Sequence, residues 1–166
     1  MLVHRWLADG TATDTVTGQT ASMRNGATFA PGQIGQAFSL DGVNDEIDAG
    51  NSAGDYPSGS FTLAAWIRPT SVADATQARV IEKYECGGSC TNASESIFQI
   101  YLYGADAGQP VTLRAFVRDQ DGGGPDAEGQ LLVFPVPGIF DGRFHHVAFV
   151  RNVGGATLSL YLDGTA

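Results

Sequence analysis

The chain has 166 residues and 17.4 kDa, enough for one ordinary domain around one core but not for two. With 43% apolar residues and a mean hydropathy of −0.05 it reads as neither disordered nor membrane-spanning, and no apolar run approaches the ~20 residues that a bilayer helix needs. Eighteen acidic against nine basic residues give a net charge of −9, which repels phosphate backbones and anionic lipid surfaces, so nucleic acid and membrane insertion are excluded as expected partners and cations are favoured.

Glycine accounts for 22 residues, well above the usual share of roughly 7%, and sits mostly in turn-like settings that favour many short strands. The opening Met1-Leu-Val-His-Arg-Trp6 lacks the apolar stretch of a signal peptide and reads as the start of an internal module. Strand-length alternation then predicts strands at Leu2–Leu7, Ala21–Asn25, Gln36–Leu40 and Glu46–Ala49. Between the last two, Asp41-Gly42 marks a turn, and Asp41, Asn44 and Asp45 bring three oxygen-bearing side chains onto one loop. Such a set suits Ca²⁺, a hard cation with 6–8 oxygen ligands, and Asp9 or Asp14 from the first loop would complete it. The alternative is that Asp41 caps its own turn while Asn44 and Asp45 are solvated.

The next strand, Ser60–Arg68, carries apolar residues on both faces and is expected at the centre of a sheet, with Trp66 in the core in preference to serving as a sugar platform. After Ala78–Glu85, Cys86 and Cys90 flank a glycine-rich turn compatible with a local disulfide and hence an oxidising compartment. A zinc site would need further soft ligands, and His4, His145 and His146 lie far away in sequence. Asn92-Ala-Ser94 fits a glycosylation sequon. On Ser96–Tyr103, Tyr101 and Tyr103 share a face that is either half-buried or an aromatic surface for sugar C–H groups.

Val111–Arg118 leads into an acidic segment, residues 119–128, without an apolar anchor. It is expected to be exposed and mobile, with Asp119 and Asp121 as possible pocket-lining ligands. An EF-hand is rejected there, since the fifth position is Gly123 and the twelfth is Gln130. Gln130–Val133, His145–Asn152 and Thr157–Leu162 complete the strands; no segment holds a helical period. His145 and His146 point to opposite faces, so their side chains cannot share a metal. Leu158, Leu160 and Leu162 form one core-facing row. Asp163-Gly164 is a hairpin signal with only Thr165 and Ala166 after it, from which an unpaired edge on Thr157–Leu162 is expected.

Three segments in order carry a family resemblance. Gly35 to Ile47 reads G-Q-A-F-S-L-D-G-V-N-D-E-I; Ser60-Phe-Thr-Leu-Ala-Ala-Trp-Ile-Arg-Pro69 follows; then come Phe144-His-His-Val-Ala148 and Leu158-Ser-Leu-Tyr-Leu-Asp-Gly164. Together they resemble the laminin-G-like, concanavalin A-like jelly-roll module, related to pentraxins and legume lectins, with Phe144 at a position where the family usually has Trp. The resemblance implies an all-β sandwich of two antiparallel sheets. It also implies a single domain over residues 1–166, lacking the closing strands of the family.

As function it implies a non-catalytic extracellular or cell-surface recognition module for glycans or surface proteins, with calcium at a loop rim. The concanavalin A-like β-glucanases place catalytic acids on an E-x-D-x-E strand. Here Glu46-Ile-Asp48 is followed by Gly50 at the third acid position, which argues against hydrolysis. A structural role, as a building block of a surface appendage that self-associates by strand addition at the C-terminal edge, is the other alternative.

Overall fold

Short runs with every second side chain apolar bury one face only by pairing into sheets. The computed structural model describes residues 1–50, 53, 59–84, 96–117 and 130–166, and among these there are eleven strands and no helix. Cys86, Cys90, the sequon at 92–94 and the acidic segment with Asp119 and Asp121 lie outside the described residues. Two compact units are present, Met1–Asp55 and Tyr56–Ala166.

In the first unit β1 (Ser22–Arg24) pairs antiparallel with β4 (Glu46–Asp48), and β2 (Thr28–Pro31) pairs with β3 (Gln36–Ser39). Sequence reading misses β2, which is short and ends in a proline that cannot donate to a ladder. Its anchor is Phe29, whose ring lies 5.6 Å from that of its cross-strand partner Phe38. The strand expected at Leu2–Leu7 does not form; only one bridge, Trp6 to Asp14, marks the segment.

The cause of that failure is Asp14, which is fully buried. Its Oδ1 accepts the N–H groups of Arg5 and Val16, both at 2.9 Å, and its Oδ2 accepts from His4 Nδ1 and Thr17 Oγ1, both at 2.7 Å. A backbone N–H captured by a side chain is lost to a sheet ladder. Burial alone would raise the Asp14 carboxyl, but the bonds from Arg5, Val16, Thr17 and His4 outweigh it and hold the group far below the usual carboxylate range.

The second unit is an antiparallel sandwich. One sheet runs β11 (Thr157–Leu162), β10 (His145–Asn152), β5 (Phe61–Ile67). The other runs β6 (Gln77–Tyr84), β7 (Ser96–Tyr103), β8 (Thr112–Val117), β9 (Gln130–Pro135). Val147, Phe149 and Leu160 from the first sheet pack with Phe98, Ile100, Leu102, Leu113, Ala115 and Val117 from the second. The ring of Phe61 lies 5.5 Å from Phe98 and 5.9 Å from Phe149, tying the layers together. Truncating a fully buried Phe such as Phe149 costs about 3–5 kcal/mol. Leu158 and Leu162 join Leu160 on the core side, as alternation predicts.

One expectation is corrected here. Among the described residues the strand that begins near Ser60 lies at an edge, not a centre, because β5 pairs only with β10, which takes the central place. Two backbone constraints shape the connections. A Cβ on Gly104 would come within 1.9 Å of the Ala73 carbonyl oxygen, so only glycine fits there. After β11, Asp163 (φ 50°) and Gly164 (φ 80°) turn the chain, and Leu162 and Thr165 exchange two backbone hydrogen bonds at 2.9 Å.

Candidate functional site

On β5 the side chains of Phe61, Leu63, Ala65 and Ile67 pack against the core, so Thr62, Ala64 and Trp66 must face outward. Trp66 is 51% exposed. The expectation of a core tryptophan is therefore corrected: the inward phase already holds Phe61, Leu63 and Ile67, and a strand has only two faces. Register places Trp66 opposite His146 and Ala64 opposite Ala148, which in turn lies opposite Tyr161. The indole and imidazole meet edge to face, 5.1 Å apart at 63°. Further along the same face the Arg68 guanidinium sits 4.8 Å from the centre of the Phe144 ring. The two alanines between Trp66 and Tyr161 leave a shallow, largely apolar floor walled by aromatic rings, with a cation at one end.

Behind this face lies a polar clamp. His145, at the start of β10, presents Nδ1 to Asp163 Oδ2 at 2.8 Å and Nε2 to Asp141 Oδ1 at 3.1 Å, and its side chain is only 14% exposed. Asp163 Oδ1 also accepts the His146 N–H at 2.8 Å, and the Asp163 N–H donates to the His146 carbonyl at 2.8 Å. The bond to Asp163 raises the His145 imidazole; burial opposes it, and the Asp141 bond adds to the rise. Asp163 is held low chiefly by His145, and Asp141 chiefly by the Arg143 N–H at 2.8 Å. Asp141 and Asp163 carry no motif of their own. The readable signal was the Asp163-Gly164 turn, placed by register beside the histidine pair.

The other candidate residues fall elsewhere. Tyr101 is buried, 6% exposed, which corrects its reading as an open aromatic surface. On the same face the Arg114 guanidinium covers the Tyr103 ring at 3.8 Å while Arg114 Nε donates to Thr112 Oγ1 at 2.9 Å. In the first unit Asp41, Asn44 and Asp45 do share one loop. Asp41 Oδ1 accepts from the N–H groups of Val43 (2.8 Å) and Asn44 (3.4 Å), and Asp45 Oδ2 accepts the Asp41 N–H at 2.9 Å. Asp45 Oδ1 is buried with no hydrogen-bond partner among the described residues.

Asp9 instead accepts the Gln36 N–H at 3.2 Å, and Asp14 is committed to the four donors described above. No three His, Cys, Asp or Glu side chains among the described residues form a group able to hold a metal. Glu46 and Asp48 both pair with Arg24, Glu46 at 3.0 Å.

Comparison with known families gives one match: residues 40–166 fit the family described as Laminin_G_3, Concanavalin A-like lectin/glucanases superfamily. No curated protein and no solved structure matches the chain.

The clamp makes stability depend on pH. A histidine raised on folding contributes fully below its unfolded pKa of ~6.5, and this contribution is lost as pH climbs through the folded value. The lowered Asp141 and Asp163 contribute above ~3.9 and lose their share as pH falls through their folded values. Melting temperatures of wild type and His145→Gln therefore differ most between about pH 4.5 and 6.5 and converge toward about pH 9. A difference that does not vary with pH contradicts the clamp.

Proposed function

Since the chain belongs to the Laminin_G_3 family of the concanavalin A-like lectin/glucanase superfamily, we propose that it is a non-catalytic recognition module that binds glycans through the outer face of β5, β10 and β11. Modules of this family generally bind carbohydrate or protein, and fold alone does not choose between them. The observation that carries the choice is Trp66: a half-exposed indole on a rigid strand, braced by His146, beside a floor of small side chains. An exposed aromatic face of this kind suits the C–H face of a pyranose, while Tyr161 and His146 supply polar edges to orient hydroxyl groups.

Hydrolysis is disfavoured by Arg24, which pairs with both acids of β4. A catalytic pair needs one carboxyl protonated and the other free. The module is read as working outside the cell or on its surface.

Calcium enters this reading only at the loop between β3 and β4. There Asp45 Oδ1 is buried and unpartnered while its Oδ2 accepts the Asp41 N–H, and Asp41 and Asn44 belong to the same loop; a hard cation held by these three residues and nearby carbonyls would brace the loop. Asp9 and Asp14 take no part.

On a glycan array the wild-type chain binds at least one carbohydrate class, and Trp66→Ala weakens that binding by roughly tenfold or more without lowering the melting temperature. Binding indifferent to Trp66→Ala, or release of reducing sugar from a β-glucan panel, overturns the proposal. Millimolar calcium raises the melting temperature by a few degrees, reversed by chelator, and Asp45→Asn abolishes the rise. An unchanged melting curve removes the cation.

A further inference from the structure

The clamp and the aromatic face are parts of one arrangement. Asp163 grips His146 on both sides of its backbone and the His145 ring as well, while the His146 ring is the edge-to-face partner of Trp66. At the other end, Asp141 holds the loop that leads into Phe144, the ring that carries Arg68. His145 therefore joins the two corners of the outer face through a single imidazole.

The geometry also separates the two states of that imidazole. An ionised carboxylate is an acceptor only, so a ring whose two nitrogens both face carboxylate oxygens makes both hydrogen bonds only as the imidazolium. The neutral ring has one N–H, leaving one carboxylate facing a lone pair. If the Asp163 contact weakens, the hold on His146 and Trp66 slackens. If the longer Asp141 contact goes, the loop under Phe144 and Arg68 slackens. Either loss reaches the outer face.

Among the described residues the groups around His145 are few. From the preceding loop come Asp141 and Arg143, whose Nε lies 3.9 Å from Asp141 Oδ2; from the turn after β11 comes Asp163. Next along its own strand is His146. On β5 the residue opposite is Ile67, followed by Arg68 over Phe144.

We propose that His145 and Asp163 are positioning residues for the Trp66 face, and that protonation of His145 tightens this face and raises its affinity for glycan in acid, an inference that rests on the glycan reading of the same face. Asp163 and Asp141 displace the His145 imidazole upward from its ordinary value, against the opposing effect of burial.

The test has two arms. The first uses no glycan: nuclear magnetic resonance follows the Trp66 indole, the Phe144 ring and both adjacent histidine rings from about pH 5 to about pH 9. The Trp66 and Phe144 signals should move with the His145 midpoint, above ~6.5, and should lose that component in His145→Gln. Asp141→Asn, a change at an exposed site, should lower the His145 midpoint if His145→Gln fails to fold. A Trp66 signal that does not move with the His145 midpoint, or that titrates unchanged in His145→Gln, overturns the inference.

The second arm takes the glycan bound most strongly on the array and measures its affinity at about pH 5.5 and about pH 8.5. A loss of roughly fivefold at the higher pH is expected for wild type and none for His145→Gln. Trp66-dependent binding with the same affinity at both pH values sinks the positioning role and leaves the glycan reading standing. Coupled signals with no glycan bound at either pH sink the glycan reading instead.

Discussion

The register of β5 against β10 is the constraint from which the rest of the second unit follows. Val147 and Phe149 are fully buried on the core side of β10, and the Phe61 ring of β5 meets that of Phe149. Because side chains alternate, the same pairing turns Trp66, His146, Ala148 and Tyr161 outward. A slip of one residue would exchange the faces, exposing Ile67 and Leu63 and driving Trp66 into a core already filled. Burial on one side thus decides what the other side can present to a ligand, and that coupling is how packing becomes function here.

Carboxylates do the second share of the structural work. The chain is acidic, yet its best-placed acids are not a diffuse surface charge. Asp14 gathers four donors and fixes the N-terminal segment, while Asp163 gathers a histidine ring and a backbone N–H and fixes the start of β10. Both act as acceptors for donors that would otherwise go unmatched, where an unmade hydrogen bond costs more than a made one contributes. An acid so employed is poorly suited to a metal, which is why Asp9 and Asp14 do not join Asp41, Asn44 and Asp45. Asp45, with one oxygen left over, is the exception.

Much of this was legible in the sequence. Alternation located ten of the eleven strands, and the segments around Asp41-Gly42, Trp66 and the His145-His146 pair pointed to the family. The phase of a strand proved harder to read than its existence. In Phe61-Thr-Leu-Ala-Ala-Trp-Ile67 both faces carry apolar residues, and only the bulk of Phe61, Leu63 and Ile67 sends Trp66 outward. Tyr101 shows the converse, an aromatic that looked presentable until its neighbours across the sheet were known.

The strand expected at Leu2–Leu7 failed because a distant side chain, Asp14, took a donor that no local pattern reveals. The clamp was hidden for a similar reason: Asp141, His145 and Asp163 meet only after the strands have paired.

Trp66 itself offers the most direct measurement. With a soluble paramagnetic agent added, the relaxation of its indole protons, read together with their nuclear Overhauser contacts, reports the face on which the ring lies. The outward register gives indole protons relaxed as strongly as those of exposed surface side chains, with contacts to the His146 ring. Protection from the agent together with contacts to Phe149 or Ile100 would contradict the register and the binding face built on it.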